Sequence, residues 1–300
     1  MSGISYRLRH LTRYHYSSPA LQSQNLGCLV PRSFPGQDLT EFSLSISPEP
    51  DWRMDWRDLY GNERCSFSFS SAHEQLEVLL EAKLLRSPLP ELQDEVAWDE
   101  FRLPGGPLWR LEDVTAREFV HASPHLPLAK SKTWSADALF EPGRPIVELL
   151  DALTAEIHEE FSYDPDATET FTPLEEVYEK RAGVCQDFAH IAITELRRHG
   201  VPAGYVSGYL ETLPPEGQEK LRGADASHAW FAVYVPGRGW HHWDPTNNCR
   251  VGSQHLISAW GRDYADVAPL KGVLIGGGEA ALKVEVDVER EESPSIEAAP

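Results

Sequence analysis

The sequence predicts an α+β chain, with an N-terminal β-sandwich-like domain followed by a second domain that mixes helices and strands. Three observations predict it. Residues 4 to about 86 alternate short strand-forming runs with turn signals. From Pro145 onward, apolar residues at the helical period alternate with strand-like segments. Between the two, Ser87-Pro88-Leu89-Pro90 to Pro107 is rich in proline and reads as a linker. The expected division is a β-rich domain over 1–86, a linker over 87–112, an α+β domain over 113–288 and a disordered acidic tail over 289–300.

In the first domain the best strands are Tyr6 to Tyr16, Leu39 to Ser47, Cys65 to Ser71 and Leu76 to Leu84, with a hairpin turn over Asp58 to Glu63. Asp113 to His121 is expected to be a short helix. Pro145 to Phe161 is a helix because Ile146, Leu149, Leu150, Leu153, Ile157 and Phe161 recur at its period. Thr172-Pro173-Leu174-Glu175 has the capping-box pattern with proline at the first helical position, and the helix it opens ends before Ala182-Gly183. A third helix starts at Cys185. Phe188, Ile191, Ala192 and Leu196 form its apolar stripe, Arg197, Arg198 and His199 its last turn, and Gly200 and Pro202 stop it. His190 points away from Cys185 and is expected to be a surface or satisfied core residue.

Val201 to Thr212 alternates as a strand, and Leu213 to Asp225 reads as a flexible loop. Ser227 to Val235, a turn at Pro236 to Gly239 and Trp240 to Asp244 form a hairpin. A turn centred near Pro236 would oppose His228 directly to Asp244. Gly276-Gly277-Gly278 lacks the Lys and Ser/Thr of a phosphate loop and reads as a turn. Ala281 to Val288 alternates as a terminal strand.

Composition narrows the function. The chain has 300 residues, 41% apolar content and 9 Trp, enough for two packed domains. No stretch approaches the ~18 apolar residues of a spanning helix. The first ten residues lack the apolar core of a signal peptide, so the cytoplasm is the expected location. A formal charge of −20 argues against nucleic acid and anionic membranes as partners. The four cysteines are too sparse for a disulfide scaffold and are expected to be reduced thiols. Cys28 and Cys65, in strand-like sequence, are expected to be small core residues; Cys249 is assigned no role.

The chemistry concentrates at three motifs. Gly183-Val184-Cys185-Gln186-Asp187 puts a cysteine at a helix start, where free N–H groups and the helix dipole stabilise a thiolate nucleophile. Ser227-His228-Ala229-Trp230 supplies an imidazole at one end of the hairpin. Trp243-Asp244-Pro245-Thr246 supplies a carboxylate at the same end. A base oriented by a carboxylate and facing a cysteine is the arrangement for acyl transfer through a thioester. His241 and His242 alternate faces on a strand, so at most one can reach the site; both read as structural or rim residues. Cys, His and Asp are also zinc ligands, but no short-range ligand pair occurs among them, so zinc ranks below the thiol mechanism.

These three motifs, in this order, resemble the bacterial transglutaminase-like superfamily. Asp263-Tyr264-Ala265-Asp266-Val267-Ala268-Pro269 and Gly276-Gly277-Gly278 are similar to the segment that follows them in these proteins, and residues 1 to about 86 resemble the β-rich region that precedes the core. The resemblance implies a papain-like core with Cys185, His228 and Asp244 as a catalytic triad. It implies a protein or peptide amide substrate, and either water or an amine as acceptor. Tyr163 is the candidate second oxyanion donor, by the family's recurring aromatic upstream of the nucleophile. Gln186 and Trp230 are further candidates for the oxyanion or substrate site, Trp230 lying on the same strand face as His228 where it could shield the site from water. No metal or cofactor is expected, since no EF-hand calcium loop is visible. The competing expectation is a non-catalytic binding or scaffold protein on the same fold; retention of all three triad residues counts against it.

Overall fold

The computed structural model describes residues 3–88, 92, 96–100, 111–129, 131–212, 225 and 227–291. The chain is mixed α and β, with a seven-stranded sheet built mostly from its N-terminal part and a five-stranded sheet packed against helices. The sheet is built on β1 (Ile4–Gly27), a single strand long enough to serve two layers. Its first half pairs with β5 (His73–Arg86), which carries β2 (Gln37–Ser47) on its other side. Its second half pairs with β4 (Glu63–Phe69), which carries β3 (Trp52–Arg57). The β1–β5 register breaks between His15 and Ala20, over Ser17-Ser18-Pro19, where proline cannot donate to a ladder. Tyr6, Leu8, Phe67, Phe69, Val78, Leu80 and Leu84 fill the space between the layers. Sequence alternation finds the first half of β1 but not its continuation through Gly27, nor β3, whose residues are all exposed and so carry no apolar alternation.

The helices of the second domain begin with α1 (Ile146–Glu160), whose apolar stripe is buried as its period predicts. After β6 (Ser162–Tyr163) comes α2 (Leu174–Lys180). The expected cap differs here: Pro173 is the N-cap and makes no side-chain cap bond, because Thr172 Oγ1 accepts the Glu169 N–H instead. Arg181, at φ 51°, ends α2 and leads into β7 (Ala182–Gly183), which pairs in parallel with β6. Next is α3 (Cys185–Arg198). It is buried on nearly every side, not on one stripe alone: Glu195 is fully buried against Arg198, and Arg197 donates to the carbonyls of Ala203, His121 and Arg262.

α3 packs on β8 (Ala203–Leu210) and β9 (Ser227–Val235), the middle of a five-stranded sheet. Its remaining strands are β10 (Gly239–Asp244), β11 (Cys249–Arg250) and β12 (His255–Gly261), in the order β11-β10-β9-β8-β12. The β9–β10 hairpin is centred on Gly237 and not on Pro236: Val235 opposes Gly239 and Trp243 opposes Phe231. Asp244 therefore follows the register to a place across from Trp230, two residues from His228 and on the same side of the ladder. Gly237 and Gly239 both have positive φ, which makes that register available.

A short α4 (Tyr264–Val267) follows, then β13 (Leu270–Gly276) and β14 (Ala280–Arg290), joined by Gly276, Gly277 and Gly278, all at positive φ. Both strands return to the N-terminal sheet and pair with β1, β14 along Tyr6 to Tyr16 and β13 along Ala20 to Gly27. The expected boundary at 288 is therefore not where the sheets divide, and Glu289 and Arg290 are strand residues opposite Arg7 and Tyr6. Alternation marks a strand but is silent about which sheet it joins. The rest of the expected tail, and most of the expected 87–112 linker and 213–225 loop, lie outside the described residues. Asp225 is buried and bonded to Thr212 and to Val288 N.

The two sheets are clasped along the edge strand β12. Gln37 donates to Ile257 O at 2.7 Å and accepts Ile257 N–H at 2.9 Å. Asn62 does the same for Trp260, at 2.8 and 3.0 Å. Arg86 donates to His255 O and Ser258 donates to Leu29 O. Side-chain amides thus take the place of a neighbouring strand for backbone groups that would otherwise be buried without partners.

Candidate active site

The site lies where the start of α3 meets one end of the five-stranded sheet. The local cause of the α3 start is Asp187, whose Oδ2 accepts the Val184 N–H at 2.8 Å and the Thr168 hydroxyl at 2.6 Å. This is the returning half of a capping box, and it fixes the turn that carries Cys185. Gly183 permits it, since a Cβ there would lie 2.6 Å from Asp187 Oδ2. Burial pushes the Asp187 carboxyl up, against the pull of Thr168 and Val184.

His228 is the second residue of β9 and lies close enough to Cys185 for the two side chains to interact electrostatically. Its Nε2 lies 2.7 Å from Asp244 Oδ2. Burial opposes charge on this ring, but the bond to Asp244 and then the neighbouring Cys185 outweigh it and push the imidazole up to about 10. Asp244 is fully buried. Its Oδ1 accepts the Thr246 and Asn247 N–H groups, and its Oδ2 also accepts Asn247 Nδ2 at 2.7 Å and His255 Nε2 at 3.1 Å. Burial alone would raise this carboxyl; the bonds from His228 and then His255 hold it well below the usual carboxylate range.

Burial raises the thiols of Cys28, Cys65 and Cys249. Burial pushes Cys28 to about 11 and Cys65 to about 12. Cys249, which pairs with Asp244 in the β10–β11 ladder, is pushed to about 11 by burial and then by the Asp244 charge.

Tyr163 is exposed at the end of β6, its ring edge-on to Phe188 and close enough to Cys185 for their charges to interact. Gln186 uses its amide to bind Thr170 O at 2.9 Å, fastening the 164–173 loop beside α3. Trp230, a candidate substrate-site residue, is instead fully buried: its indole donates to His242 Nδ1 at 3.3 Å and its ring packs on His228 and His255. Gly208, paired with His228, makes room for that indole. His190 is buried and accepts the Tyr264 N–H.

Three contributors escape a reading of the sequence. Asn247 had a signal, because Asp-Pro-Thr-Asn is turn chemistry in which the aspartate bonds residues two and three beyond it. Asp187 had one too, at the third helical position. His255 had none, being a lone histidine on a separate strand. His228, Asp244 and His255 offer ligand atoms within 4.8 Å of one another, the one such cluster among the described residues. Both imidazoles are already hydrogen-bonded to the same carboxylate oxygen.

Residues 6–84 match the bacterial transglutaminase-like N-terminal region, and residues 135–245 match the transglutaminase-like superfamily core. An uncharacterized protein of Mycobacterium tuberculosis is 37% identical over 296 residues, covering 94% of this chain and 92% of that one. One from Mycobacterium leprae is 30% identical over 294 residues, covering 95% and 98%. A protein-glutamine gamma-glutamyltransferase of Pseudomonas aeruginosa is 35% identical over 92 residues, covering 30% of this chain and 14% of that one. Among solved structures, a Cytophaga hutchinsonii protein provisionally described as a cysteine protease shares the fold at TM-score 0.76 and 18% identity, over 98% of this chain and 92% of that one. Among the described residues, no helix is long and apolar enough to cross a membrane. With both matched regions in this order and whole-length relatives at 37% and 30% identity, the chain belongs to the transglutaminase-like superfamily, in the form that carries the bacterial N-terminal region.

Proposed function

We propose that the protein catalyses thiol-dependent acyl transfer on the carboxamide or peptide carbonyls of a protein or peptide substrate. Cys185 is the nucleophile, His228 the acid and base, and Asp244 the residue that orients the ring and stabilises its positive charge. The Cys185 thiol gives its proton to His228, and its sulfur bonds to the carbonyl carbon, whose π electrons move onto the oxygen. The tetrahedral intermediate then breaks its C–N bond, and His228 passes its proton to the departing ammonia or amine. The thioester left on Cys185 is released when His228 takes a proton from the incoming water or amine, whose oxygen or nitrogen bonds to the carbonyl as the C–S bond breaks. Water makes the reaction hydrolysis; an amine makes it transamidation. The Cys185 backbone N–H, at a helix start, is the first candidate to hold the oxyanion, and Tyr163 at the mouth of the site is the second. The proposed setting is the cytoplasm, where a reducing environment keeps the four thiols free.

The observation that carries this reading is that His228 stands between Cys185, which acts on its charge, and a fully buried Asp244 whose Oδ2 lies 2.7 Å from its Nε2. The test is to trap the acyl-enzyme from a library of peptides and amines and read the adduct by mass. The expected adduct is on Cys185, and it disappears with turnover in Cys185→Ala. Turnover retained in Cys185→Ala, or an adduct on Cys249, would overturn the assignment.

A further inference from the structure

The Asp244 carboxylate is held by a second histidine that no part of the proposed mechanism uses. His255 opens β12 and is fully buried. Its Nδ1 accepts the Gly252 N–H at 3.3 Å. A ring nitrogen that accepts carries no proton, so the proton of neutral His255 is on Nε2, which lies 3.1 Å from Asp244 Oδ2. Its backbone carbonyl accepts Arg86 Nε at 3.0 Å, and the Trp230 ring packs against it edge to face at 5.2 Å. Every polar atom of the ring is thus assigned to one partner, and its orientation is fixed from both sheets.

We propose that His255 is a positioning residue, a neutral Nε2–H donor that locks the Asp244 carboxylate in the rotamer that serves His228. The inference rests on the thiol mechanism above. The charged and titratable groups around the ring are Asp244, His228, His242 and Arg86. Burial pushes His255 down from its usual value; Asp244 pulls the other way, and His228 and Arg86 repel a second positive charge. Neutrality suits the task. A cation at this place would compete with the His228 imidazolium for the same carboxylate oxygen. A neutral donor fixes that oxygen and leaves its negative charge to His228.

The test compares His255→Gln, which keeps an N–H donor near the Nε2 position, with His255→Leu, which fills the space without one. The probe is iodoacetamide, with alkylation of Cys185 followed across pH by peptide mass. Wild type and His228→Ala are run alongside, and each variant's fold is checked by thermal unfolding. His255→Leu should alkylate about tenfold more slowly at pH 6, equal to a one-unit movement in the joint titration of Cys185 and His228. His255→Gln should stay within about threefold of wild type. With a substrate in hand, kcat should fall in His255→Leu while KM holds. A folded His255→Leu with the wild-type profile overturns the inference, as does His255→Gln performing no better than His255→Leu. Should leucine fail to fold, His255→Phe supplies a planar ring without a donor. Nitrogen-15 spectra of the wild-type histidines test the tautomer directly, and a His255 proton on Nδ1 at neutral pH would overturn it too. If His228→Ala itself alkylates like wild type, the thiol mechanism has failed; if it slows and His255→Leu does not, only the role of His255 has.

Discussion

Replacing Asp244 with asparagine exchanges one acceptor oxygen for an NH2 group at nearly constant shape, and the structure says which way the amide must face. Oδ1 accepts two backbone N–H groups, from Thr246 at 3.0 Å and Asn247 at 3.2 Å, and neither donor can turn away. The amide oxygen therefore keeps that place, and the NH2 group meets His228, His255 and Asn247 Nδ2. Asn247 can flip its own amide and present oxygen. His255 cannot change tautomer without losing the Gly252 N–H, so one buried donor is left without an acceptor, costing about 1–3 kcal/mol. His228 can adapt only by moving its proton to the nitrogen that faces Cys185. It then offers an N–H to the sulfur where a base must offer a lone pair. An equivalent tautomer error in a serine protease triad lowers kcat about 10⁴-fold, and a loss of roughly 10³- to 10⁴-fold is expected here, with unfolding free energy lower by about 1–3 kcal/mol. Cys185→Ala, which removes the sulfur, should leave no acylation at all. Single-turnover acylation and urea unfolding measure the two effects. An Asp244→Asn variant that acylates within threefold of wild type would refute the reasoning.

Three further outcomes follow from the same contacts. His228 is raised to about 10 in the folded protein, so its contribution to stability is complete below the unfolded value of about 6.5 and is lost as pH rises through about 10. The difference in Tm between wild type and His228→Gln should therefore shrink between pH 6 and pH 10.5, whereas Asp244, shifted the other way, loses its contribution only as pH falls below the usual carboxylate range. Gly208→Ala would drive a methyl group into Leu256 O and to 2.5 Å from the Trp230 ring, and urea unfolding should register a loss of about 1–3 kcal/mol; an unchanged midpoint would mean that Trp230 does not pack as described. Gln37→Ala strips partners from Ile257 N–H and C=O, so the Ile257 amide should exchange hydrogen much faster, and a protection factor equal to wild type would show that the clasp between the sheets is not formed there.

Short-range physics is what the sequence states openly. The helix over Ile146–Glu160, the start of the next at Cys185 and the β9–β10 hairpin are visible because apolar period, helix stops and turn residues act within a few positions. The three residues proposed for catalysis are legible for the same reason: each stands at the end of an element, inside a motif. The hairpin register missed its centre by one residue because Gly237 and Gly239 both take positive φ, a choice among turn types that neighbouring residues leave open.

Tertiary structure decided the rest. The alternation of Ala281 to Val288 identifies a strand, but only the long β1, whose ladder edge along Tyr6 to Tyr16 is left open by β5, decides that this strand returns to the first sheet. Trp230 shares a strand face with His228, and pairing of Gly208 with His228 decides that its ring is buried beneath the site and not offered to a substrate. His255 stands outside every motif. Its place behind Asp244 is set by the order of the five-stranded sheet and by the Arg86 and Gln37 side chains that hold its strand from the other domain. Periodicity reports what a residue does to its near neighbours along the chain; the partners of a buried carboxylate are chosen by how the sheets meet, and no local pattern encodes that.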